Sequence, residues 1–166
     1  MFSVGILTIS NKGWRGERQD LSGEAIRETL NPLGVRVVSY DIVPDEKDVI
    51  AGKLREWADG TGIDLIVTTG GTGLSPRDVT PEATLSVVER LAPGFGEVMR
   101  AQSLKETPTA ILSRALAGIR KNTLIINLPG SPRAVRQCLE AILPALPHAI
   151  ETLRGEAEEC GANSTE

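Results

Sequence analysis

Residues 68–84, TTGGTGLSPRDVTPEAT, follow directly after the apolar run 63–67, IDLIV. A short, continuous apolar run of this kind predicts a buried strand of a parallel sheet. Three glycines, Gly70, Gly71 and Gly73, then fall within four positions. Because glycine has no Cβ, the backbone N–H groups of such a turn can approach a phosphate closely. The segment therefore predicts a phosphate-binding turn at the carboxyl end of a parallel strand.

A carboxylate and a helix start follow the glycines. Asp78 comes five residues after Gly73, and Pro81 suits the first turn of a helix with Thr80 as its N-cap. A carboxylate beside a phosphate can hold Mg²⁺, which takes one or two protein carboxylates and completes its shell with phosphate oxygens and water. The spacing matches neither the P-loop nor the GxGxxG pattern. Two structural alternatives stay open: the glycines form only a tight turn, and Asp78 pairs only with Arg77 or the helix N-terminus.

The remaining sequence predicts alternating strands and helices. The predicted strands are 4–9, 35–43, 63–68 and two strands around a turn at 121–122, the second of them 124–128. The predicted helices are 22–30, capped by Ser22, then 46–58, 81–91, 94–104, and a last helix from 132 towards 155 that is kinked near Pro144 and Pro147. This order predicts a three-layer α/β/α domain, with a mostly parallel sheet and helices on both faces, over residues 1–155. The polar, acidic residues 156–166 are predicted to be a disordered tail.

Composition narrows the class of protein. The chain has 166 residues, of which 40% are hydrophobic and 24% charged, as expected for one globular domain. Only two Phe, two Trp and one Tyr are present, so the core must consist of aliphatic side chains and stacking platforms for single-stranded nucleic acid are not expected. The formal net charge of −4 argues against binding to nucleic acid or to an anionic membrane.

Residues 93–136 carry seven Lys or Arg against Glu97 and Glu106, which predicts either an anion-binding cleft or, by preference, a solvated basic face. The cysteines Cys138 and Cys160 have no metal-binding or redox spacing, and reduced thiols are expected. The N-terminal residues are interpreted as the first strand and not as a signal peptide, and we expect a cytoplasmic protein. His148, the only histidine, has no partner motif and is interpreted as structural.

Loops 10–21, 44–46, 70–80 and 129–132 all follow predicted strands. In open α/β sheets, ligands bind at this carboxyl edge, near the switch in strand order. Two of the loops bring carboxylates, Asp45 and Asp78. Two carboxylates beside a phosphate cradle are what magnesium-dependent phosphoryl or nucleotidyl transfer requires. Asp45 could alternatively be only a helix cap. Ser113 and Arg114 could likewise be strand residues without a functional role.

The chain resembles the molybdopterin adenylyltransferase family of the MogA/MoaB type. The resemblance covers nearly the whole chain and rests on the segments VPDE (43–46), TTGGTGLSPRDVTPEAT (68–84), PGFGEVMR (93–100), TAILSRALAGIR (109–120) and LIINLPGSP (124–132). It implies an enzyme that uses Mg²⁺ and ATP to adenylylate molybdopterin with release of pyrophosphate, in molybdenum cofactor biosynthesis. It further implies a homotrimer, with the downstream molybdenum-insertion enzyme as a candidate partner.

The resemblance also assigns roles to residues. Asp45 and Asp78 are implied as catalytic residues that hold Mg²⁺. The implied nucleotide and phosphate contacts are Gly70, Gly71, Thr72, Gly73, Pro129 and Gly130. Ser113 is implied on the pterin side, and we expect Ser10 and Arg114 there too, because a hydroxyl and a guanidinium can hold a single phosphate directly.

One departure from the family concerns the residue after Ser10. Family members often carry Ser-Asp at this point, where this chain has Ser10-Asn11, so a carboxylate is replaced by an amide. Two other functions are considered. One is a non-catalytic pterin- or partner-binding module of the same fold, which would not need both carboxylates. The other is a flavodoxin-like redox module, which the aromatic-poor loops disfavour.

Overall fold

A computed structural model describes residues 1–60 and 62–156. The strands are β1 (Ser3–Ile9), β2 (Arg36–Val43), β3 (Leu65–Thr69), β4 (Arg90–Leu91), β5 (Ala117–Arg120) and β6 (Thr123–Leu128). The helices are α1 (Asn11–Trp14), α2 (Leu21–Leu30), α3 (Lys47–Gly60), α4 (Thr80–Leu85), α5 (Pro93–Leu104), α6 (Pro132–Ile142) and α7 (Leu146–Arg154). Cys160 and all of the predicted tail except Glu156 lie outside the described residues.

The strands form one sheet in the order β2-β1-β3-β6-β5-β4. β1, β2, β3 and β6 are parallel, whereas β5 pairs antiparallel with β6, and β4 antiparallel with β5. The strand order reverses beside β1, since the chain moves from β1 outward to β2 and then returns to β3 on the other side. The predicted mostly parallel sheet is confirmed, and the reversal opens a crevice at the carboxyl ends of β1 and β3.

Two apolar clusters cover the two faces of the sheet. α2, α5, α6 and α7 pack with one face, and α3 and α4 pack with the other. Leu65, Ile66 and Val67 of β3 alternate between the two clusters and are fully buried. This burial on both faces explains why the sequence shows a continuous apolar run there rather than an alternating one. The three-layer arrangement predicted from the sequence is confirmed.

Several predicted element ends are wrong. The loop 10–21 contains the short helix α1, and α2 is capped by the Asp20 side chain, which accepts the Gly23 N–H at 3.0 Å, and not by Ser22. Ser22 instead donates its hydroxyl to Gly130 O at 2.7 Å. The helix predicted over 81–91 ends at Leu85, and the edge strand β4 follows. Such a short edge strand carries too little hydrophobic pattern to be seen in sequence.

The break predicted in the last helix is confirmed. The chain forms α6, then a 3₁₀ turn over Leu143–Ala145, then α7. Proline lacks the N–H that a continuous helix needs, so Pro144 and Pro147 start new turns rather than extend the old one. No helix in the described ranges 1–60 and 62–156 is long and apolar enough to cross a membrane.

Candidate functional site

The four loops predicted at the carboxyl edge of the sheet meet around one cavity of about 600 Å³. We call it the first cavity. Its wall includes Ser10 and Asn11 after β1, Asp45 after β2, the glycine turn after β3, and Gly130 after β6. Its cationic side chains are Lys12, Arg18 and Arg77. The volume lies within the range of small-molecule binding sites.

The glycine turn at the end of β3 needs glycine for its backbone. Gly70 and Gly71 have positive φ angles of 98° and 67°. A Cβ at Gly70 would collide with Ile9 O, and one at Gly71 with Thr80 Oγ1. Thr80 therefore does not cap α4 as predicted: its hydroxyl donates to Gly70 O at 2.9 Å and locks the turn. The fold itself therefore requires glycine at these two positions, and phosphate binding by the turn stays a prediction.

Asp45 and Asp78 lie on either side of the glycine turn. A Cβ placed on Gly71 would be 3.4 Å from Asp45 Oδ1, and one placed on Gly73 would be 2.9 Å from Asp78 Oδ2. The structure therefore brings both predicted carboxylates to the glycine turn. Asp45 and Asp78 are far apart in the sequence, but they lie close together because the parallel strands before them end at the same edge of the sheet.

Asp45 is held by Asn11, the residue at which the chain departs from the family pattern. The Asn11 N–H donates to Asp45 Oδ2 at 3.2 Å, and the Asp45 N–H donates to Asn11 Oδ1 at 3.0 Å. Burial raises the pKa of the Asp45 carboxyl, and the nearby charge of Asp78 raises it further; the Asn11 N–H and Arg77 oppose the shift. A neighbouring cation would stabilise this carboxylate.

Asp78 uses one carboxylate oxygen in a hydrogen bond within its own turn. Its Oδ2 accepts the Ser75 N–H at 3.0 Å. In the described part of the chain Asp78 forms no ion pair with Arg77, so that alternative is not supported. No group of three or more His, Cys, Asp or Glu side chains within the described ranges could hold a metal by itself. A carboxylate pair fits Mg²⁺, which draws its other ligands from phosphate and water.

A second cavity of about 510 Å³ adjoins the first. Gly71, Asp78, Gly130 and Ser131 line both cavities and form their shared wall. The rest of the second cavity is less charged and includes Met99, Arg100, Ser103, Thr109, Ser113 and Cys138. Two ligands could therefore sit side by side with Asp78 between them.

The residues predicted to bind the pterin do not form one group. Ser113 lines the second cavity. Ser10 lines the first, where its hydroxyl accepts the Gly13 N–H at 3.0 Å and caps α1. The Arg114 guanidinium turns into the protein: it donates to Gly73 O at 2.8 Å and to Asp78 O at 2.7 Å, and pairs with Glu82. Arg114 lines neither cavity, and its predicted contact with the pterin phosphate stays a prediction.

Sequence reasoning missed Asp20, a third carboxylate on the wall of the first cavity. Its Oδ2 accepts the Thr8 hydroxyl at 2.6 Å and the Tyr40 hydroxyl, and its Oδ1 accepts the Gly23 N–H. Burial, followed by the hydrogen bond to Asp20, raises the pKa of the Tyr40 hydroxyl. The position of Asp20 just before an apolar-periodic helix was the signal that could have identified it as a cap.

The Lys and Arg side chains of residues 93–136 do not gather in one anion-binding cleft. Of its cations, only Arg100 lines either cavity, and its guanidinium donates to Ala115 O at 2.7 Å. Arg120 and Arg136 pair instead with carboxylates of other elements. His148 is exposed on α7 and lies 4.0 Å from Glu151, away from both cavities.

Comparison with known proteins agrees with this geometry. A family described as "Probable molybdopterin binding domain" matches residues 5–148. A Helicobacter pylori (strain J99) protein named molybdopterin adenylyltransferase is 50% identical, over 92% of this chain and 88% of that protein. The Escherichia coli K12 protein of the same name is 40% identical, over 92% of this chain and 85% of that protein.

The fold is also shared with solved structures. The molybdopterin biosynthesis enzyme MoaB from Thermus thermophilus superposes with a TM-score of 0.89 at 56% identity, covering 93% of this chain and 98% of that one. At this level of likeness the carboxyl-edge loops, and not only the sheet, fall within the compared region. The likeness therefore extends over most of the chain and not only the core of the sheet.

Proposed function

This chain belongs to the molybdopterin-binding domain family, and we propose that it transfers the adenylyl group of ATP to molybdopterin. The single observation that carries the proposal is the shared wall. Asp78 lies between two adjoining cavities, with Asp45 and the glycine turn on the side of the first. A transfer between two bound substrates needs such a juxtaposition, because their reacting atoms must meet in one geometry.

The first cavity suits ATP with Mg²⁺. Of the predicted nucleotide contacts, Gly70, Gly71 and Gly130 line the first cavity, and their backbone leaves space for a nucleotide to approach closely. Thr72, Gly73 and Pro129 line only the second cavity. A Cβ at Gly130 would meet only Gly70 Cα, at 3.5 Å, so this loop is open towards the cavity. Lys12, Arg18 and Arg77 add positive charge for a triphosphate.

The second cavity suits the pterin, with Ser113 as a hydroxyl donor and Arg100 as a cation on its wall. In the proposed reaction an oxygen of the pterin phosphate attacks the α-phosphorus of ATP. A P–O bond forms there as the bond to the bridging oxygen breaks, and pyrophosphate leaves. Mg²⁺, when bound, neutralises charge on the pyrophosphate. Asp45 and Asp78 would hold the ion, and the glycine turn would fix the phosphates in line.

The alternative of a non-catalytic binding module is less well supported. The relatives at 40% and 50% identity are both named as enzymes, and this chain keeps both carboxylates. Two carboxylates repel a bare phosphate unless a cation lies between them, so a pure binder of an anionic pterin gains nothing from the pair.

A homotrimer is part of the proposal. Several large apolar side chains are exposed around β4, α5 and the turn that follows: Leu91, Val98, Leu104, Ile111 and Leu112. An apolar surface of this kind supports an interface between copies of the chain. Light scattering in solution would give the mass of the assembly, and a monomer would contradict this part. Contact with a downstream molybdenum-insertion enzyme stays a prediction.

The decisive experiment is a reconstituted reaction. The protein is incubated with ATP, Mg²⁺ and molybdopterin, and adenylyl-molybdopterin and pyrophosphate are measured. Product should form with the wild-type protein, and should be lost when Mg²⁺ is chelated or when Asp78 is replaced by Asn. A folded protein that binds molybdopterin yet forms no product would instead identify a binding module.

A further inference from the structure

Arg114 joins three separate parts of the site. Its Nε donates to Gly73 O at 2.8 Å, and one terminal nitrogen donates to Asp78 O at 2.7 Å. The other terminal nitrogen pairs with the Glu82 carboxylate on α4. In addition, the Arg114 backbone N–H donates to Thr72 O at 2.8 Å. One residue therefore holds both ends of the segment 73–78.

That segment has few other restraints. Leu74, Ser75, Pro76 and Arg77 are all exposed. The Asp78 N–H donates to Ser75 O at 2.9 Å and the Ser75 N–H donates to Asp78 Oδ2, but these bonds close the turn on itself. They do not fix the turn against the rest of the protein. The guanidinium of Arg114 does, because it comes from a segment on the other side of the glycine turn.

We propose that Arg114 is a positioning residue that holds the backbone of Asp78, so that the Asp78 carboxylate stays at the shared wall of the two cavities. The proposal rests on the proposed function, in which that carboxylate holds Mg²⁺. Arg114 itself touches neither cavity. Its effect on the reaction passes through the carbonyl of Asp78, as the effect of an outer-shell residue on a metal ligand does.

The geometry requires arginine. A guanidinium presents donors in a rigid planar fork and can reach three acceptors in different directions, whereas a lysine ammonium offers one nitrogen. Glu82 completes the arrangement, and the hydrogen bond from Arg114 is the main cause that lowers the pKa of the Glu82 carboxyl. Arg114→Lys should therefore keep the charge and lose the simultaneous hold on Gly73 and Asp78.

The chain provides a matched control. Arg120 also donates to a backbone carbonyl, Val87 O at 3.0 Å, and to the Asp59 carboxylate at 2.9 and 2.7 Å. It lines neither cavity. Arg120→Lys should thus cause a comparable loss of thermal stability without any effect on the metal and nucleotide.

The test is calorimetric titration of the folded variants with ATP, in the presence and absence of Mg²⁺, and with molybdopterin. In Arg114→Lys, the affinity for ATP with Mg²⁺ and the turnover should each fall by about 10- to 100-fold, the range for loss of an outer-shell partner. Affinity for ATP without Mg²⁺ and for molybdopterin should stay near the wild-type value. Glu82→Gln leaves Arg114 bonded to the carbonyls of Gly73 and Asp78, so it should lower the affinity for ATP with Mg²⁺ and the turnover by less. It is the substitute variant if Arg114→Lys does not fold.

Three results would overturn the role of Arg114. They are an unchanged affinity for ATP with Mg²⁺, a loss confined to molybdopterin binding, and an equal loss in Arg120→Lys. The second of these would mean that the guanidinium holds the pterin phosphate after all. If Arg114→Lys weakens binding of ATP with Mg²⁺ as expected, but the wild-type protein forms no product, only the proposed reaction would be overturned.

Discussion

Replacing Asp45 with Asn should make the protein more stable and much less active. Burial and the charge of Asp78 raise the pKa of the Asp45 carboxyl, so the folded protein keeps this group ionised at a cost. Asparagine has the same shape and can still accept the Asn11 N–H, which lies 3.2 Å from Oδ2. The bond from the Asp45 N–H to Asn11 Oδ1 is unaffected, because it uses the backbone. The substitution therefore removes a destabilising charge and no hydrogen bond.

The two effects differ in size. Removal of an unfavourable functional charge commonly stabilises by about 1 kcal/mol, which corresponds to a rise of about 2–4 °C in Tm for a domain of this length. A carboxylate about 4 Å from a cation is worth about 4 kcal/mol per unit charge at an effective dielectric constant near 20. If that stabilisation is lost in the transition state, turnover falls by about 10³-fold.

The pH dependence follows from the direction of the shift. A carboxyl whose folded pKa is raised binds its proton more tightly in the folded state, so ionisation destabilises the fold as pH rises towards the raised value. Asp45→Asn should therefore be more stable than wild type at neutral pH, and the difference should vanish as pH falls below the ordinary aspartate pKa. When Mg²⁺ and ATP are present at neutral pH, the wild type should instead be more stable than Asp45→Asn, because only the wild type gains the full binding energy of these ligands.

Thermal unfolding across a pH series without ligands, together with the reconstituted reaction, measures both effects. Asp48→Asn is the matched control: it neutralises an exposed carboxylate in the first turn of α3 and should not stabilise the protein. A variant at position 45 that is less stable than wild type at neutral pH would refute the electrostatic reasoning. One that keeps wild-type turnover would refute the role of Asp45 with the metal.

Gly130→Ala should weaken ATP binding by about 10-fold or more, since its Cβ would lie on the wall of the first cavity without meeting protein atoms closer than 3.5 Å. Gly94→Ala, whose Cβ would meet nothing within 4 Å and which lines neither cavity, is the control for calorimetry. Ser113→Ala should weaken molybdopterin binding by about 1 kcal/mol and leave ATP binding unchanged, because Ser113 lines only the second cavity. If it weakened ATP binding and spared molybdopterin binding, the ligands assigned to the two cavities would have to be exchanged. Asn11→Asp should lower stability at neutral pH by about 1 kcal/mol through repulsion with Asp45, and Mg²⁺ with ATP should restore it in a thermal shift assay.

The sheet and the location of the site could be predicted because they depend on burial and topology. β3 and β6 are buried on both faces, so their sequences are continuous apolar runs. β2 and β3 both run parallel to β1, so the loops that follow them must share an edge, and Asp45 and Asp78 come together. Neither inference needs the direction of any side chain.

The direction of polar side chains could not be predicted in this way. Arg114 follows Ser113 directly, yet only Ser113 lines a cavity, while Arg114 turns towards the carbonyls of Gly73 and Asp78. Thr80 stands before a proline where a cap is expected, yet its hydroxyl bonds Gly70 O. In both cases the partner is a backbone carbonyl distant in sequence, which no local pattern encodes. The sequence pattern assigns this guanidinium to the ligand, whereas in the structure it donates to backbone carbonyls of the protein.

The glycines of the site separate into two kinds, and the distinction decides which substitutions are informative. Gly70 and Gly71 combine positive φ angles with direct collisions, so the fold itself requires glycine there and a substitution would disturb the turn whatever binds. Gly73 and Gly130 lack a positive φ angle. A Cβ at Gly73 would meet the Asp78 carboxylate at 2.9 Å, whereas one at Gly130 would make only an ordinary contact with Gly70 Cα at 3.5 Å. Within the described residues neither the φ angle nor a collision requires glycine at Gly130, so a substitution there distinguishes the phosphate-binding interpretation from the structural one.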